Sequence, residues 1–544
     1  MTTRPDPLDR LHALADALAG TWAARAAVST TVGRERAILR LFGVEGLDRA
    51  GRPLAGEVVD RYVAGQADRL AAGVALPFAM GLAEYDVAAQ ELAIDVASGA
   101  VDLALEAELL DRPDRRAAAE REATRLARTA LERIAANRTA RTELLSVLGE
   151  PARPWLGFAA GEPTVDGARV EVARLVADGA DLVRITVPAG RELTDRLYEA
   201  GAAVAPWRPR LRRSETDEPV PAGSQRGLAE LRGVVDGAAA ERRRYARLAT
   251  AAPPLGAPEQ AVVAAFERLD LVEADPLAEI VDAGVGPDRA LADHAFANLL
   301  QARAGCHLLI GPGPLVVAPD LRRGLPSDAP TRAGRALALE LVSVGLARRH
   351  GLRPDQVIVG ALPAWLAEER DPAVLALAQV SLRRALFPGH PLAFEEPPAS
   401  TRAGALWSFL LSAVLPLAGP VALVVRRSGG REVAGVVAAT RAAVAVAEEA
   451  AASLEPWALR GPARAQADAT VASAIETLAR LTDEGWEAIL DEPVGGPDRP
   501  RLGADAVVER SESFDPFAAA ATAVAAEAAA AATARPGPTD RPAG

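Results

Sequence analysis

Apolar residues recur at helical spacing through the first quarter of the chain. Leu11, Leu14 and Leu18 fall on one helical face, Leu103, Leu105, Leu109 and Leu110 repeat the pattern, and the run from Arg115 to Leu145 mixes charges with few breakers. Residues 9 to 148 are therefore expected to be helical throughout. At Pro151 to Pro154 the period changes. Short apolar runs then alternate with amphipathic stretches: Trp155 to Ala160, Leu182 to Val187, Ala246 to Thr250, Leu269 to Val272, His307 to Ile310, Val357 to Val359, Leu392 to Phe394 and Val421 to Val425. Strands separated by helices imply a parallel sheet with right-handed crossovers. Eight such units over about 270 residues suit a (β/α)8 barrel, and a doubly wound open sheet fits the same alternation. After Arg427 the helical period returns, in Glu432 to Leu454 and Ala463 to Leu490.

This pattern divides the chain into an N-terminal helical extension (1–150), a barrel (151–427), a C-terminal helical extension (428–517) and a low-complexity tail (518–544). The tail's Ala run favours helix, and its Pro-Gly-Pro segment is expected to be disordered.

Composition narrows the function classes. The chain has 544 residues and a net charge of −12, which points away from nucleic acid and anionic membrane. All 61 basic residues are arginine. Without a lysine, no side-chain amine is available to form a Schiff base with a carbonyl cofactor. One cysteine, Cys306, excludes an intramolecular disulfide and a multi-thiolate metal site. His12, His294, His307, His350 and His390 show no metal-ligand spacing, so no metal site is expected. The segment Met1 to Arg10 is polar, and no apolar run reaches the ~18–20 residues that span a bilayer. The expectation is a soluble, cytoplasmic protein.

Few residues suggest chemistry by themselves. Cys306 and His307 adjoin on a strand, where neighbours point to opposite faces, so a nucleophile–base dyad is not expected and a packed core cysteine is. Gly311-Pro312-Gly313-Pro314 lacks the glycine spacing and lysine of a phosphate loop. Arg208, Arg210, Arg212 and Arg213 cluster after Trp207, in a loop from Pro206 to Gly223 that could contact an anion or stand solvated.

A set of weaker motifs recurs in a fixed order. It begins with Thr30 to Val44, containing Glu35-Arg36, Arg40 and Gly43. Leu131-Glu132-Arg133-Ile134 with Asn137-Arg138 follows, then Phe266-Glu267-Arg268-Leu269-Asp270, Pro397-Pro398, and Phe514-Asp515-Pro516-Phe517. In order and spacing these resemble the large (α) subunit of lysine 5,6-aminomutase, from about Leu8 to Phe517. That family is an isomerase of lysine degradation, dependent on adenosylcobalamin and pyridoxal phosphate, and migrates a terminal amino group by one carbon. The resemblance implies a TIM barrel with helical extensions at both ends that caps the pyridoxal ring. It also implies a small cobalamin-binding subunit as partner, whose lysine forms the aldimine.

The same alignment replaces the family's pocket residues at successive strand ends. The family's Arg-Thr-Thr-Gly-Gln-Ser becomes Val187-Pro188-Ala189-Gly190-Arg191-Glu192. Its Asn-Tyr-x-Ser-Gly becomes Thr250-Ala251-Ala252-Pro253-Pro254. Its ring-stacking tyrosine and a following arginine become Ala278 and Ala283, and its Asn-Thr-Gly-Glu-Asp-Asn becomes Leu309 to Pro314. Gly-His-Ala-Phe-Glu becomes Gly360 to Ala364. Pro-Pro-Thr-Lys-His-Met-Thr-Gly becomes Pro397 to Gly404. Arg184 lies three positions before the aligned arginine, which by strand parity puts it on the opposite face and makes it a poor substitute. Cofactor-side positions that remain are Gly190, Arg191 and Gly404; no catalytic residue remains. Losing ring stacking, phosphate anchoring and substrate charge pairing together argues against the inherited reaction. Two further readings stay open: a non-catalytic barrel serving as a binding or assembly partner, and a different enzyme with an apolar pocket lined by Val187, Ala251, Ala278, Leu309 and Leu362. Two contacts are expected to be structural: a Glu267–Arg268 pair, and Asp515-Pro516 closing the C-terminal extension onto the barrel.

Overall fold

The structure is a computed structural model that describes residues 6–46, 53–185, 222–311, 328–363, 365–366, 369–397, 403–427, 433–453, 459–488, 490 and 507–533. Eight parallel strands close into a barrel, in the order β2 (Trp155–Ala160), β3 (Leu182–Ile185), β4 (Arg247–Ala251), β5 (Leu271–Glu273), β6 (His307–Ile310), β7 (Val357–Gly360), β8 (Leu392–Glu395) and β9 (Val421–Arg427). Each overlaps one of the eight apolar runs in the sequence, and β9 pairs back onto β2 from Trp155 beside Leu423 onward. Closure excludes the open sheet.

These strands read as continuous apolar runs because both of their faces are buried. Leu182, Ala249, Leu271, Leu309, Ile358, Ala393 and Leu423 fill the barrel interior. The alternate residues Val183, Leu248, Val272, Leu308, Val357, Val359 and Phe394 pack outward against the surrounding helices. Side-chain caps start several of those helices: Thr164 accepts from Gly167 N, Ser224 from Gly227 N and Asp328 from Thr331 N.

Among the described residues from Pro7 to Leu148 the N-terminal region is built of successive helices and one short strand, β1 (Ser29–Thr31), and it has a core of its own that includes Leu54, Tyr62, Phe78, Met80 and Leu126. The strand departs from the all-helical expectation. It pairs antiparallel with β10 (Val507–Glu509), a partner so distant that three residues of sequence carry no trace of it. Beyond β10, Asp515 accepts from Phe517 N and Ala518 N and opens the helix Pro516–Thr533. Phe517 stacks on Phe42, and Ala520 joins the N-terminal core. The Ala-rich run is thus helical and docks on the N-terminal helices. Residues 534–544 fall outside the described set.

No helix among the described residues is long and apolar enough to cross a membrane.

Candidate functional site

Reactive groups of a parallel barrel gather at the carboxyl ends of its strands. Here three charged side chains meet there. Leu182 points into the barrel, so Arg184, two residues on, also points in; Leu271 places Glu273 and Ala393 places Glu395 by the same period. Arg184 Nη1 donates to Glu273 Oε2 at 3.0 Å and to Glu395 Oε1 at 2.8 Å. One guanidinium nitrogen therefore serves two carboxylates. Glu273 is 2% exposed, and its second oxygen, Oε1, has no partner in the protein. Burial pushes its carboxyl up to about 7; Arg184 pulls it down, and the neighbouring Glu395 charge adds to the rise. Arg184 is raised, because Glu395 and Glu273 outweigh the burial that opposes its charge.

This corrects the placement of Arg184. Parity counted back from Val187, which lies outside the described residues, puts it on the outer face, whereas parity counted from Leu182 inside the barrel puts it in the mouth.

Behind this cluster a second polar layer fixes the strand ends. Asp275 caps the helix Pro276–Asp282, accepting from Leu277 N at 2.9 Å and Ala278 N at 3.3 Å, and Ser343 donates to it at 2.6 Å. Burial raises its carboxyl against those donors. Glu279 meets His294 Nε2 at 2.9 Å. Arg383 forks onto both oxygens of Glu340 at 2.8 and 2.7 Å and donates through Nε to Gly360 O at 2.7 Å, holding the end of β7. Gly311 follows β6 at φ +103°, where a Cβ would meet Gly360 N at 3.3 Å and the Glu340 carboxyl at 3.4 Å. Only glycine fits that turn.

Of the three cofactor-side positions, Gly190 and Arg191 lie outside the described residues, as do the Arg208 to Arg213 cluster and Gly313. Gly404 sits in the helix Ala403–Phe409, where a Cβ would meet nothing within 4 Å. No close approach requires glycine there. The substituted positions that are described do lie at the mouth: Ala251 ends β4, Ala278 stands on the helix after β5, Leu309 is interior and Ala361 follows β7. Sequence reading missed Glu273 and Glu395. The available signal was a charged residue at the inward parity of a strand's last position.

Cys306 and His307 separate as their neighbouring positions require. Cys306 Sγ donates to Leu269 O at 2.9 Å, and burial pushes its thiol up. His307 sits edge-on to Trp155, ring centroids 5.2 Å apart, at the amino end. Among the described residues no group of three or more His, Cys, Asp and Glu is placed to hold a metal ion.

Several motifs behind the resemblance prove to be joints. Asn137 Nδ2 donates to Ala265 O at 3.0 Å and Phe266 O at 2.7 Å, and the Arg133 guanidinium lies 4.0 Å over the Phe266 ring. Thr30 donates to Glu35 at 2.5 Å, Glu35 accepts from Val74 N at 2.8 Å, and Arg40 reaches Glu259 at 2.8 Å. The expected Glu267–Arg268 pair does not form. Glu267 accepts from Gln225 at 3.0 Å and Arg133 at 3.3 Å, while Arg268 pairs with Asp236. Glu267 ends a helix and Arg268 takes φ +54°, so the chain turns between them and the side chains diverge.

Residues 4–422 match the family model described as the D-lysine 5,6-aminomutase TIM-barrel domain of the alpha subunit. Two curated relatives are the lysine 5,6-aminomutase alpha subunits of Fusobacterium nucleatum subsp. nucleatum, 26% identical over 369 residues, and Acetoanaerobium sticklandii, 24% identical over 368. Each match covers 68% of this chain and 66% of the relative, so the chain spans just under two thirds of their length. Among solved structures, dihydropteroate synthase from Anaplasma phagocytophilum covers 55% of this chain and 100% of its own at 12% identity, with a TM-score of 0.35.

Proposed function

Because this chain belongs to the family of the D-lysine 5,6-aminomutase alpha-subunit barrel, we propose that it serves as the large-subunit scaffold of an aminomutase-type assembly without itself seating pyridoxal phosphate. The partner in this reading is a small cobalamin-binding subunit. The barrel acts as a binding and assembly component, and amino-group migration does not run through its mouth.

One observation carries the reading. Arg184, whose side chain points into the mouth, is already shared by Glu273 and Glu395. If both carboxylates are ionised, the trio sums to one negative charge. A phosphate dianion placed beside it would face two carboxylates and a guanidinium already engaged by both, which disfavours binding. The described mouth residues thus do not fit the cofactor's phosphate. The absence of lysine in all 544 residues adds that any aldimine must come from the partner. The readings differ in what they expect of ligands: this mouth suits a hydrogen-bond donor or a positive group at Glu273 Oε1, and a purely apolar occupant would leave that oxygen unpaired.

The test is to incubate the purified chain with pyridoxal phosphate, alone and with a candidate small subunit, reduce with borohydride and map the pyridoxylated peptides. Label is expected on the partner's lysine only, with co-elution of the two chains. Binding of pyridoxal phosphate by the isolated chain, or a cob(II)alamin signal on adding lysine to the assembly, would overturn the reading.

A further inference from the structure

Two wall helices of the barrel, Pro287–Ala304 and Ala329–Arg349, stand either side of β6, and the helix Pro7–Val28 lies across both. Between them runs a row of buried polar atoms without partners. His294, Asn298 and Gln301 occupy positions i, i+4 and i+7 of the first helix, so they share one face. Their relative exposures are 1%, 2% and 1%. His294 Nδ1, Asn298 Oδ1 and Gln301 Oε1 have no hydrogen-bond partner in the protein. His350, which ends the second helix at 8% exposure, has none on either ring nitrogen.

Towards the barrel mouth the two helices are joined through the helix Pro276–Asp282, whose cap Asp275 accepts from Ser343 and whose Glu279 meets His294 Nε2. Towards the amino end they approach closely, and a Cβ built on Gly351 would lie 3.7 Å from Ala302 Cβ. The rings of His294 and His350 share the seam closely enough to sense each other: burial first, and then the positive charge of His294, hold His350 down to about 4.

Five orphaned polar atoms in one seam demand partners, since a buried donor or acceptor left unpaired costs more than an ordinary hydrogen bond returns. A water molecule needs two to four polar neighbours, and a row of imidazole and amide atoms at helical spacing offers them in succession. Metal binding is not favoured, because the row contributes amide oxygens and imidazoles and no additional carboxylate group.

We propose that these two helices enclose an internal hydration site, a file of water molecules bound by His294 Nδ1, Asn298 Oδ1, Gln301 Oε1 and the His350 ring. The file links the buried Glu279–His294 pair, which lies behind the barrel mouth, to the amino-end rim at His350. It gives a pair enclosed with Asp275 and Asp293 an exchange route to solvent that needs no local unfolding. The site lies in the barrel wall and is independent of which ligand the mouth accepts.

Five histidines in the whole chain make the test tractable. In protein labelled with 15N-histidine, magnetisation transfer from water should reach the rings of both His294 and His350. Replacing the row by Asn298→Leu with Gln301→Leu should cut that transfer at least tenfold at both rings, while His390, held by its own bond to Val357 O, stays unchanged. A crystal structure of the unaltered chain should show ordered density bridging the five atoms. Absence of transfer in the unaltered chain, or side chains in the crystal bonding directly to one another across a dry seam, would overturn the proposal. The unaltered chain decides the matter even if the double variant does not fold.

Discussion

The two ends of the barrel treat buried charge in opposite ways. At the amino end, one carboxylate is over-supplied: Asp270 contacts Arg141 at 3.2 Å, Arg232 at 3.0 Å, the Tyr245 hydroxyl at 2.7 Å and Leu248 N at 2.9 Å. Burial alone would raise its carboxyl, but Arg141, Arg232 and Arg247 outweigh that and hold it below the usual range. At the carboxyl end, two carboxylates divide one guanidinium, and Glu273 keeps an unpaired oxygen. The first arrangement gives a carboxylate donors to spare, and the buried atoms left over there, Arg232 Nε and Arg247 Nη1, belong to the surrounding cations. The second is short of donors and leaves a buried carboxylate oxygen unsatisfied, which a fold tolerates where something else is meant to meet it.

The comparison can be broken first by removing each carboxylate in turn. Asp270→Ala takes the carboxylate from the buried Arg141 guanidinium and the Tyr245 phenol and leaves Arg232 with only the Asp236 carboxylate, and is expected to destabilise by about 3–5 kcal/mol in urea unfolding. Glu273→Gln at the other end should cost almost nothing, and at pH 8 should be neutral or stabilising. Equal losses for the two variants would erase the distinction.

Arg184→Met comes next in size. With its cation gone, Glu273 and Glu395 face each other in the mouth, and about 1–3 kcal/mol should be lost at pH 8. At pH 5 one of them takes up a proton, and most of the loss should disappear. A melting temperature lowered by the same amount at both values would show that the arginine acts through packing alone.

The pH dependence of the unaltered chain sharpens the contrast, because the two ends contribute with opposite sign. Glu273 has its carboxyl raised from 4.5 to about 7, so between those values the folded state binds more protons than the unfolded one, and stability falls as pH rises through the window. His307 is held down to about 4, chiefly by burial and then by Arg247, so between pH 6.5 and 4 the unfolded state binds more protons and stability falls as pH drops. Glu273→Gln should flatten part of the first limb, where Glu340, also raised to about 7 by burial, contributes, and His307→Gln part of the second, where His350 also contributes. A scan of melting temperature against pH that is unmoved by both substitutions would remove the electrostatic basis of the comparison.

The smallest effect is expected at Arg268. Removing it leaves Asp236 still paired with Arg232 at 2.6 Å, so Arg268→Ala should cost no more than about 1 kcal/mol. A large loss would mean that the turn at φ +54° depends on that ion pair.

The barrel was legible because its signal is dense: eight runs of Val, Leu, Ile and Ala, each buried on both faces, announce themselves without reference to one another. The mouth was less so. The face of Arg184 follows only from the inward register of Leu182, and Glu273 and Glu395 attract notice only once the inward register of Leu271 and Ala393 is known. The divergence of Glu267 and Arg268 depends on one left-handed residue that no pattern of polarity foretells. Residues close in sequence revealed themselves through period, and those brought together by closure of the barrel did not.

The short ribbon of β1 and β10 has a consequence for how the molecule is made. Ser29 waits for Glu509, and Val28 O for Arg510 N. A ribosome adding residues one after another exposes the N-terminal helices long before that partner exists, so the emerging chain must keep an unpaired edge soluble while the whole barrel is synthesised. Thr30 and Thr31 shorten the risk: their hydroxyls already engage Glu35 and Asp293, which arrive earlier. The ribbon is a clasp fastened last, and an arrest of synthesis before Val507 would yield a barrel with that clasp open.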